Sequence, residues 1–227
     1  MGVIIAISII FMWGTHLFYM LNFVEVNFSS PVLYLHLIIQ TYLFTGLFIT
    51  SHDSMHRTVS GRKWLNNSIG FLSLILYAGM WYPRLLKNHK LHHQNPGTET
   101  DPDFNTSSQN YWVWWFSFML RYITLVQIVI MAVFYNILKI WFGDLQLWIL
   151  WIAPAILSTL QLFYFGTYLP HRLPHKEDMQ PHKARTQKKN HVWAMISCYF
   201  FGYHYEHHES PGTPWWLLYK TKSKTTG

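Results

Sequence analysis

The chain has 227 residues, of which 51% are hydrophobic, 19% aromatic and only 12% charged, against roughly 25% charged in an ordinary soluble domain. This composition excludes a fully water-soluble protein, and a mean hydropathy of only +0.09 excludes a chain that lies wholly within lipid. A single cysteine, Cys198, excludes an intrachain disulfide and a thiolate metal cluster, so we predict one domain over residues 1–227, with a membrane part and a basic polar part that together give a net charge of +7.

Four apolar stretches, in chain order about 2–24, 31–50, 112–138 and 145–168, approach the ~20 residues that cross a bilayer as a helix. They predict four transmembrane helices in two hairpins. Nearly all lysines and arginines lie outside these stretches and away from the two hairpin tips. Because cytoplasmic loops carry an excess of basic residues, we expect the tips outside and the basic segments on the cytoplasmic side of the cytoplasmic membrane.

Two features complicate this simple topology. The apolar stretch from Ile69 to Tyr82 is about 14 residues long, too short to span comfortably, so an interfacial or re-entrant helix is expected there. A full crossing would separate the histidines before it from those after it. Arg121 lies inside the third long stretch, where a charge in hydrocarbon is costly. Either its side chain snorkels to the interface, or this helix begins above the membrane.

Histidines form three boxes with helical spacing. His52 and His56 are one turn apart, and each of the other two boxes has three histidines at i, i+3 and i+4, which brings them to one side of a helix. The second box is His89, His92 and His93, and the third is His204, His207 and His208. Eight imidazoles exceed what one tetrahedral zinc can use, so two metal ions are predicted. Imidazole ligation suits iron, zinc, copper or nickel and does not choose among them.

The remaining histidines and the local carboxylates are assigned lesser roles. Lone histidines are expected to be ordinary core or surface residues; they are His16, His36, His175, His182 and His191. Two divalent ions held by neutral imidazoles call for nearby negative charge. Asp53 and Glu206 lie inside the boxes and are predicted to orient ligating imidazoles through the distal ring N–H. Further carboxylates nearby are Asp101, Asp103 and Glu209.

The boxes and their distribution over four spans resemble the membrane fatty-acid desaturase and hydroxylase superfamily. Three further strings, HHQNPGTETDPDF at 92–104, FGTYLPHR at 165–172 and FGYHYEHH at 201–208, resemble the bacterial-type β-carotene ketolases. The resemblance implies an all-α integral membrane protein, with four transmembrane helices plus interfacial helices that carry a histidine-rich di-iron site on the cytoplasmic side. It also implies a ninth ligand outside the boxes, for which His171 is the match and His175 the local rival.

The resemblance further implies the reaction. Two iron ions, with O₂ as co-substrate and an external, ferredoxin-type electron donor, would hydroxylate C4 of a β-ionone ring twice, and loss of water would leave the 4-keto group. Expected conversions are β-carotene to echinenone and canthaxanthin, with zeaxanthin to astaxanthin as a further candidate. The expected partners are a membrane-dissolved carotenoid, a redox donor protein and the lipid bilayer, with no nucleic acid.

Aromatic side chains near the third and fourth spans are candidates for a flat apolar substrate channel, although Trp and Tyr there also fit an interfacial belt. The candidates are Trp112, Trp115, Phe118 and Tyr168.

Two alternative functions stay open. A fatty-acyl desaturase or an alkane or lipid hydroxylase would use the same metal site on another chain. A metal transporter or storage protein would need acidic or histidine residues along the spans, where only Glu25, His16 and His36 occur near interiors or ends.

Overall fold

The computed structural model describes the backbone of residues 1–225 and the side chains through residue 222, and this part of the chain is built from helices. The only β pairing within it is an isolated bridge between Thr186 and Tyr203. The ten α-helical elements are α1 (Gly2–Phe23), α2 (Pro31–Met55), α3 (Lys63–Ala78), α4 (Tyr82–Gln94), α5 (Tyr111–Tyr122), α6 (Leu125–Leu138), α7 (Asp144–His171), α8 (His191–Cys198), α9 (His204–Glu209) and α10 (Leu218–Thr225).

Three of these helices, α1, α2 and α7, are long and apolar enough to cross a membrane. Helix α2 is the central element and packs against α1, α3 and α7. Its fully buried Phe44 and Leu47 lie in the main apolar core. The helix begins at Pro31, where a proline is preorganised for the first turn. It runs through Met55, past the predicted end at residue 50, and so carries the first histidine box into the protein interior.

Helices α3 and α4 meet at an angle of 101°. Gly79 ends α3 in the left-handed conformation with φ of +65°, which glycine adopts without steric cost. A Cβ at this position would lie 3.0 Å from the Ile130 side chain of α6, so the close approach also favours glycine. The apolar segment from Ile69 to Tyr82 therefore turns sharply within its length, and by length and composition the α3–α4 pair fits either one broken span or a re-entrant element.

The stretch 112–138, predicted as one transmembrane helix, is divided into α5 and α6, which meet at 88°. Ile123 and Thr124 between them are extended, and the Thr124 hydroxyl accepts a hydrogen bond from the backbone N–H of Gln127 at 3.1 Å. This threonine therefore caps the start of a new helix. Arg121 lies just before the break, and its guanidinium donates to the backbone carbonyl of Pro102. Taken together, the bent pair is still apolar enough to form one broken span.

Helix α7 contains two π-helical segments, Trp148–Ile152 and Tyr164–Tyr168. Such segments occur often at functional sites. The second lies immediately before Leu169, Pro170 and His171, the last three residues of α7. Gly166 in this segment packs directly on Phe201, since a Cβ there would come within 2.2 Å of the phenyl ring. The wide turn thus brings the end of α7 against the loop that leads into α9.

Candidate metal centre

Three helices position the histidine boxes. His52 lies in the last turn of α2 and His56 is the residue that follows it. The second box occupies the C-terminal half of α4, a helix that has proline in its first turn. The third box lies within the short helix α9, and all three of its imidazoles are buried. His171, at the end of α7, is only 1% exposed.

The nine predicted ligands come together as two separate groups, and within each group the candidate ligand atoms lie within 4.8 Å of one another. The first cluster consists of His52, His56, His89, His93 and His207. The second cluster consists of His92, His171, His204 and His208.

Helical geometry explains how one box serves both clusters. Residues i and i+4 lie on nearly the same line of a helix, whereas i+3 is turned away from i+4 by about 100°. In α4 the i and i+4 members, His89 and His93, belong to the first cluster, and His92 belongs to the second. In α9 the assignment is reversed, so that His207 at i+3 reaches the first cluster. Both helices therefore lie between the two groups.

The ring nitrogens are arranged as they would be around bound cations. The Nε2 atoms of His93 and His207 are 2.9 Å apart, and those of His92 and His208 are 3.1 Å apart. Neighbouring ligands on one ion, with metal–nitrogen bonds of about 2.1 Å at right angles, would be separated by about 3 Å. The Nε2 atoms of His52 and His171 are buried without a hydrogen-bond partner. A bound metal would remove that desolvation cost, so the residues fit a dinuclear centre.

Two hydrogen bonds fix the orientation of imidazoles in the second cluster. The Nδ1 atom of His171 donates to the backbone carbonyl of Lys183 at 3.0 Å, which leaves Nε2 as the ligand atom. The Nδ1 atom of His92 lies 3.0 Å from both carboxylate oxygens of Asp101. Such bonds select the tautomer and raise the basicity of the ligating nitrogen.

Asp101 is held as a carboxylate by its surroundings. Burial acts to raise its pKa, but His92 and the backbone amides of Asp103 and Gly97 outweigh burial and hold the pKa below the usual value. Both amides donate to the carboxylate at 2.8 Å. A buried negative charge beside the second cluster offsets part of the positive charge of a metal pair.

Neither of the two carboxylates predicted for this orienting role makes a hydrogen bond to a cluster imidazole. Asp53 accepts from the backbone N–H of Trp215 at 3.1 Å, and its nearest contact to His52 is 3.8 Å, too long for a hydrogen bond. Glu206 is 1% exposed, and neither of its oxygens has a hydrogen-bond partner in the described part of the chain. Asp101, which the sequence offered only as one nearby carboxylate among several, makes the contact instead.

The histidines expected to be ordinary lie outside both clusters. His175, the rival of His171, bonds through Nε2 to the backbone carbonyl of His171 at 2.9 Å. His182 pairs with Glu209 at 2.8 Å. His16 of α1 contacts α2, where its Nε2 lies 3.1 Å from Nδ1 of His36.

Comparison with known proteins assigns the family. The fatty acid desaturase family model matches residues 29–141 and 121–225. A β-carotene ketolase from Paracoccus sp. strain PC1 is 39% identical over 190 residues, which cover 82% of this chain and 77% of that protein. The chain belongs to the ketolases of the fatty acid desaturase family. A second Paracoccus β-carotene ketolase, from strain N81106, is 37% identical over 81% of this chain and 76% of that protein.

The relationship extends to algae. A zeaxanthin 4-ketolase from Chlamydomonas reinhardtii is 35% identical over 100% of this chain, which spans 54% of the length of that protein. No solved structure matches the chain.

An open cavity reaches both clusters of the ketolase. His52 and His89 of the first cluster lie on its wall, together with His92 and His204 of the second. Most of the remaining wall is apolar, with Phe48, Phe118, Leu162, Phe163 and Phe201 among the lining residues. A hydrocarbon group in this cavity would contact the protein closely beside both histidine clusters.

Of the four aromatic residues proposed to bind substrate, only Phe118 lines this cavity. Trp112 is 56% exposed on the outer face of α5. Trp115 donates its indole N–H to the Thr159 hydroxyl, and Tyr168 packs on Trp114. The period of α5 explains the result, because only one stripe of an aromatic run can face inward.

A hydrogen-bonded pair in the cavity wall was not singled out from the sequence. Tyr122 donates its hydroxyl to the carboxylate of Asp103, and both residues line the cavity. Burial raises the pKa of Asp103 to about 6, against the opposing effect of His92. The available signal was the position of Asp103, two residues after Asp101 and directly before Phe104 in the 92–104 string.

Proposed function

We propose that this chain is a carotenoid 4-ketolase that hydroxylates C4 of a β-ionone ring twice and releases water to leave the 4-keto group. The observation that carries the proposal is the apolar cavity whose wall includes histidines of both clusters, in a chain that belongs to the ketolases. Substrates named for its relatives, β-carotene and zeaxanthin, define the class of molecule expected.

The two clusters are proposed to hold two iron ions. Iron at these positions would supply the activation of O₂, with electrons from a separate, ferredoxin-type donor. The protein's own residues have three tasks. The nine imidazoles hold the metals, and Asp101 with the Lys183 carbonyl fixes the orientation of two of them. Phe118, Phe163 and Phe201 exclude water and pack against the ring, so that C4 lies beside the metals.

The cavity favours a hydrocarbon substrate over an acyl carrier. Among the described residues that line it there is no lysine or arginine, and the one acidic residue, Asp103, is bonded to Tyr122. A phosphate or a carboxylate head group would therefore find no lysine or arginine partner among these residues. A fatty-acyl desaturase or a lipid hydroxylase remains the alternative, because the same metal site could act on another chain.

The decisive experiment is the pigment profile of cells that accumulate β-carotene and express this chain. We expect echinenone and canthaxanthin to appear, and their amounts to increase with expression of the protein. Cells that produce zeaxanthin form the second arm, in which astaxanthin is the expected product. Unchanged carotenoids together with newly desaturated or hydroxylated acyl chains would support the alternative instead.

We also propose that the protein lies in the cytoplasmic membrane with both histidine clusters on the cytoplasmic side. Four spans would cross this membrane, and one of them would be the broken pair α5–α6. The α3–α4 pair would then enter and leave on the same side. Labelling with an impermeant thiol reagent tests this at exposed positions on either end of the pair, Arg62→Cys and Lys90→Cys, with Ser29→Cys in the α1–α2 connection as the comparison.

We expect Arg62→Cys and Lys90→Cys to be protected in intact cells and labelled in inverted vesicles, and Ser29→Cys to behave in the opposite way. The native Cys198 is buried and gives no background in folded protein. Labelling of the Arg62 and Lys90 positions from different sides, in active variants, would contradict the topology.

A further inference from the structure

The cavity wall contains one nearly buried hydroxyl that has no partner. Thr167 lines the cavity and is 7% exposed, yet its hydroxyl makes no hydrogen bond within the described residues. Other hydroxyl groups on the wall are satisfied. Tyr122 bonds to Asp103, Tyr77 bonds to Ser158, and Thr159 donates to the backbone carbonyl of Ile156. A polar group left unpaired in apolar surroundings costs free energy that a ligand hydroxyl would recover.

Thr167 lies at the metal end of the cavity. It follows Gly166, which packs on the ring of Phe201, and the Phe201 ring centroid is 4.8 Å from that of His52 and 5.4 Å from that of His204. It also lies in the π-helical segment one turn before His171. Thr167 therefore borders the region in which the reacting carbon must be held.

The substrates of the two rounds of the proposed reaction differ in the hydrogen bonds that they need from the cavity wall. In each round one oxygen atom of O₂ enters a C4–H bond, while two electrons from the donor and two protons reduce the other atom to water. The first substrate is a hydrocarbon ring without a hydrogen-bonding group. The second carries a hydroxyl at C4, which has lost its water on entering an apolar cavity and needs a partner.

We propose that Thr167 binds the C4 hydroxyl of the alcohol formed in the first round, and this inference rests on the proposed ketolase function. A threonine hydroxyl both donates and accepts, so it can hold an alcohol in one orientation. The bond retains the alcohol and directs the remaining C4–H toward the clusters. Thr167 is then the residue that commits the enzyme to a ketone product.

The test is the ratio of 4-hydroxy to 4-keto carotenoid made from β-carotene by membranes with a reducing donor system. Thr167→Val preserves the side-chain shape and removes the hydroxyl. We expect β-carotene consumption within about twofold of wild type, and a ratio of alcohol to ketone raised about five- to tenfold, the factor for loss of one hydrogen bond. Thr167→Ser should restore the wild-type ratio.

The matched control is Thr159→Val, which makes the same change in the same cavity at a hydroxyl that already has partners. It should leave the ratio as in wild type. An unchanged ratio in Thr167→Val, or an equal loss of both rounds, would overturn the inference. So would selective loss of zeaxanthin consumption at a constant ratio, since the bound hydroxyl would then be at C3. Wild-type protein that makes no ketone would instead remove the proposed function itself.

Discussion

Replacing His171 with alanine is expected to abolish ketolase turnover and to lower the iron content of the purified protein. His171 is one of four imidazoles in the second cluster, its Nε2 is buried without a protein partner, and its Nδ1 is committed to the Lys183 carbonyl. Loss of a direct ligand should exceed the roughly 10–100-fold effects typical of residues that only orient ligands. Iron per chain and product formation are measured on protein purified anaerobically after growth with added iron.

His175→Ala is the matched control for that variant. The two histidines are four residues apart, but Nε2 of His175 bonds to the backbone carbonyl of His171, and His175 belongs to neither cluster. We expect iron content near wild type and turnover within a few-fold. Both variants are compared at equal membrane expression, because a folding defect would also remove activity. Full iron and activity in His171→Ala, or the reverse ranking of the pair, would rule out His171 as the ninth ligand.

The gathering of the imidazoles within each box could be predicted because their spacing is local. An i, i+3, i+4 box brings its imidazoles to one side of any helix, whatever that helix packs against, and a helix was the expected state at each box. The division into two clusters could not be predicted in this way. Whether His92 pairs with His208 or with His89 depends on how α4 and α9 cross, and that crossing is set by tertiary packing rather than by spacing.

The limits of the fold prediction have similar causes. Hydropathy identified 112–138 as a long apolar stretch but did not reveal the break within it. The break depends on Thr124, which caps α6 through one local hydrogen bond, and one such residue hardly changes the mean hydropathy of the stretch. The π-helical turn at Tyr164–Tyr168 has no composition signal, and it is what brings Gly166 against Phe201. The sequence predicts orienting carboxylates inside the boxes, at Asp53 and Glu206, whereas Asp101 reaches His92 from the loop that follows α4.

The division into two clusters leads to a stoichiometric prediction: the active protein should bind two iron ions per chain, and each cluster should lose its own ion. Replacing His204 and His208 with alanine leaves the second cluster with two of its four imidazoles and all five of the first intact. Replacing His89 and His93 leaves three in the first and all four in the second. Each double variant should therefore be inactive and retain about one metal ion.

Total metal must be counted together with iron, because zinc binds nitrogen ligands strongly and can replace iron in overexpressed protein. The ion that a double variant retains shows that the variant is folded. The intact cluster draws its imidazoles from at least two helices, so it forms only if those helices pack correctly. One ion per chain in fully active wild-type protein would contradict the dinuclear centre. Loss of both ions from either double variant would contradict separate clusters, because removing ligands from one group would then have emptied the other.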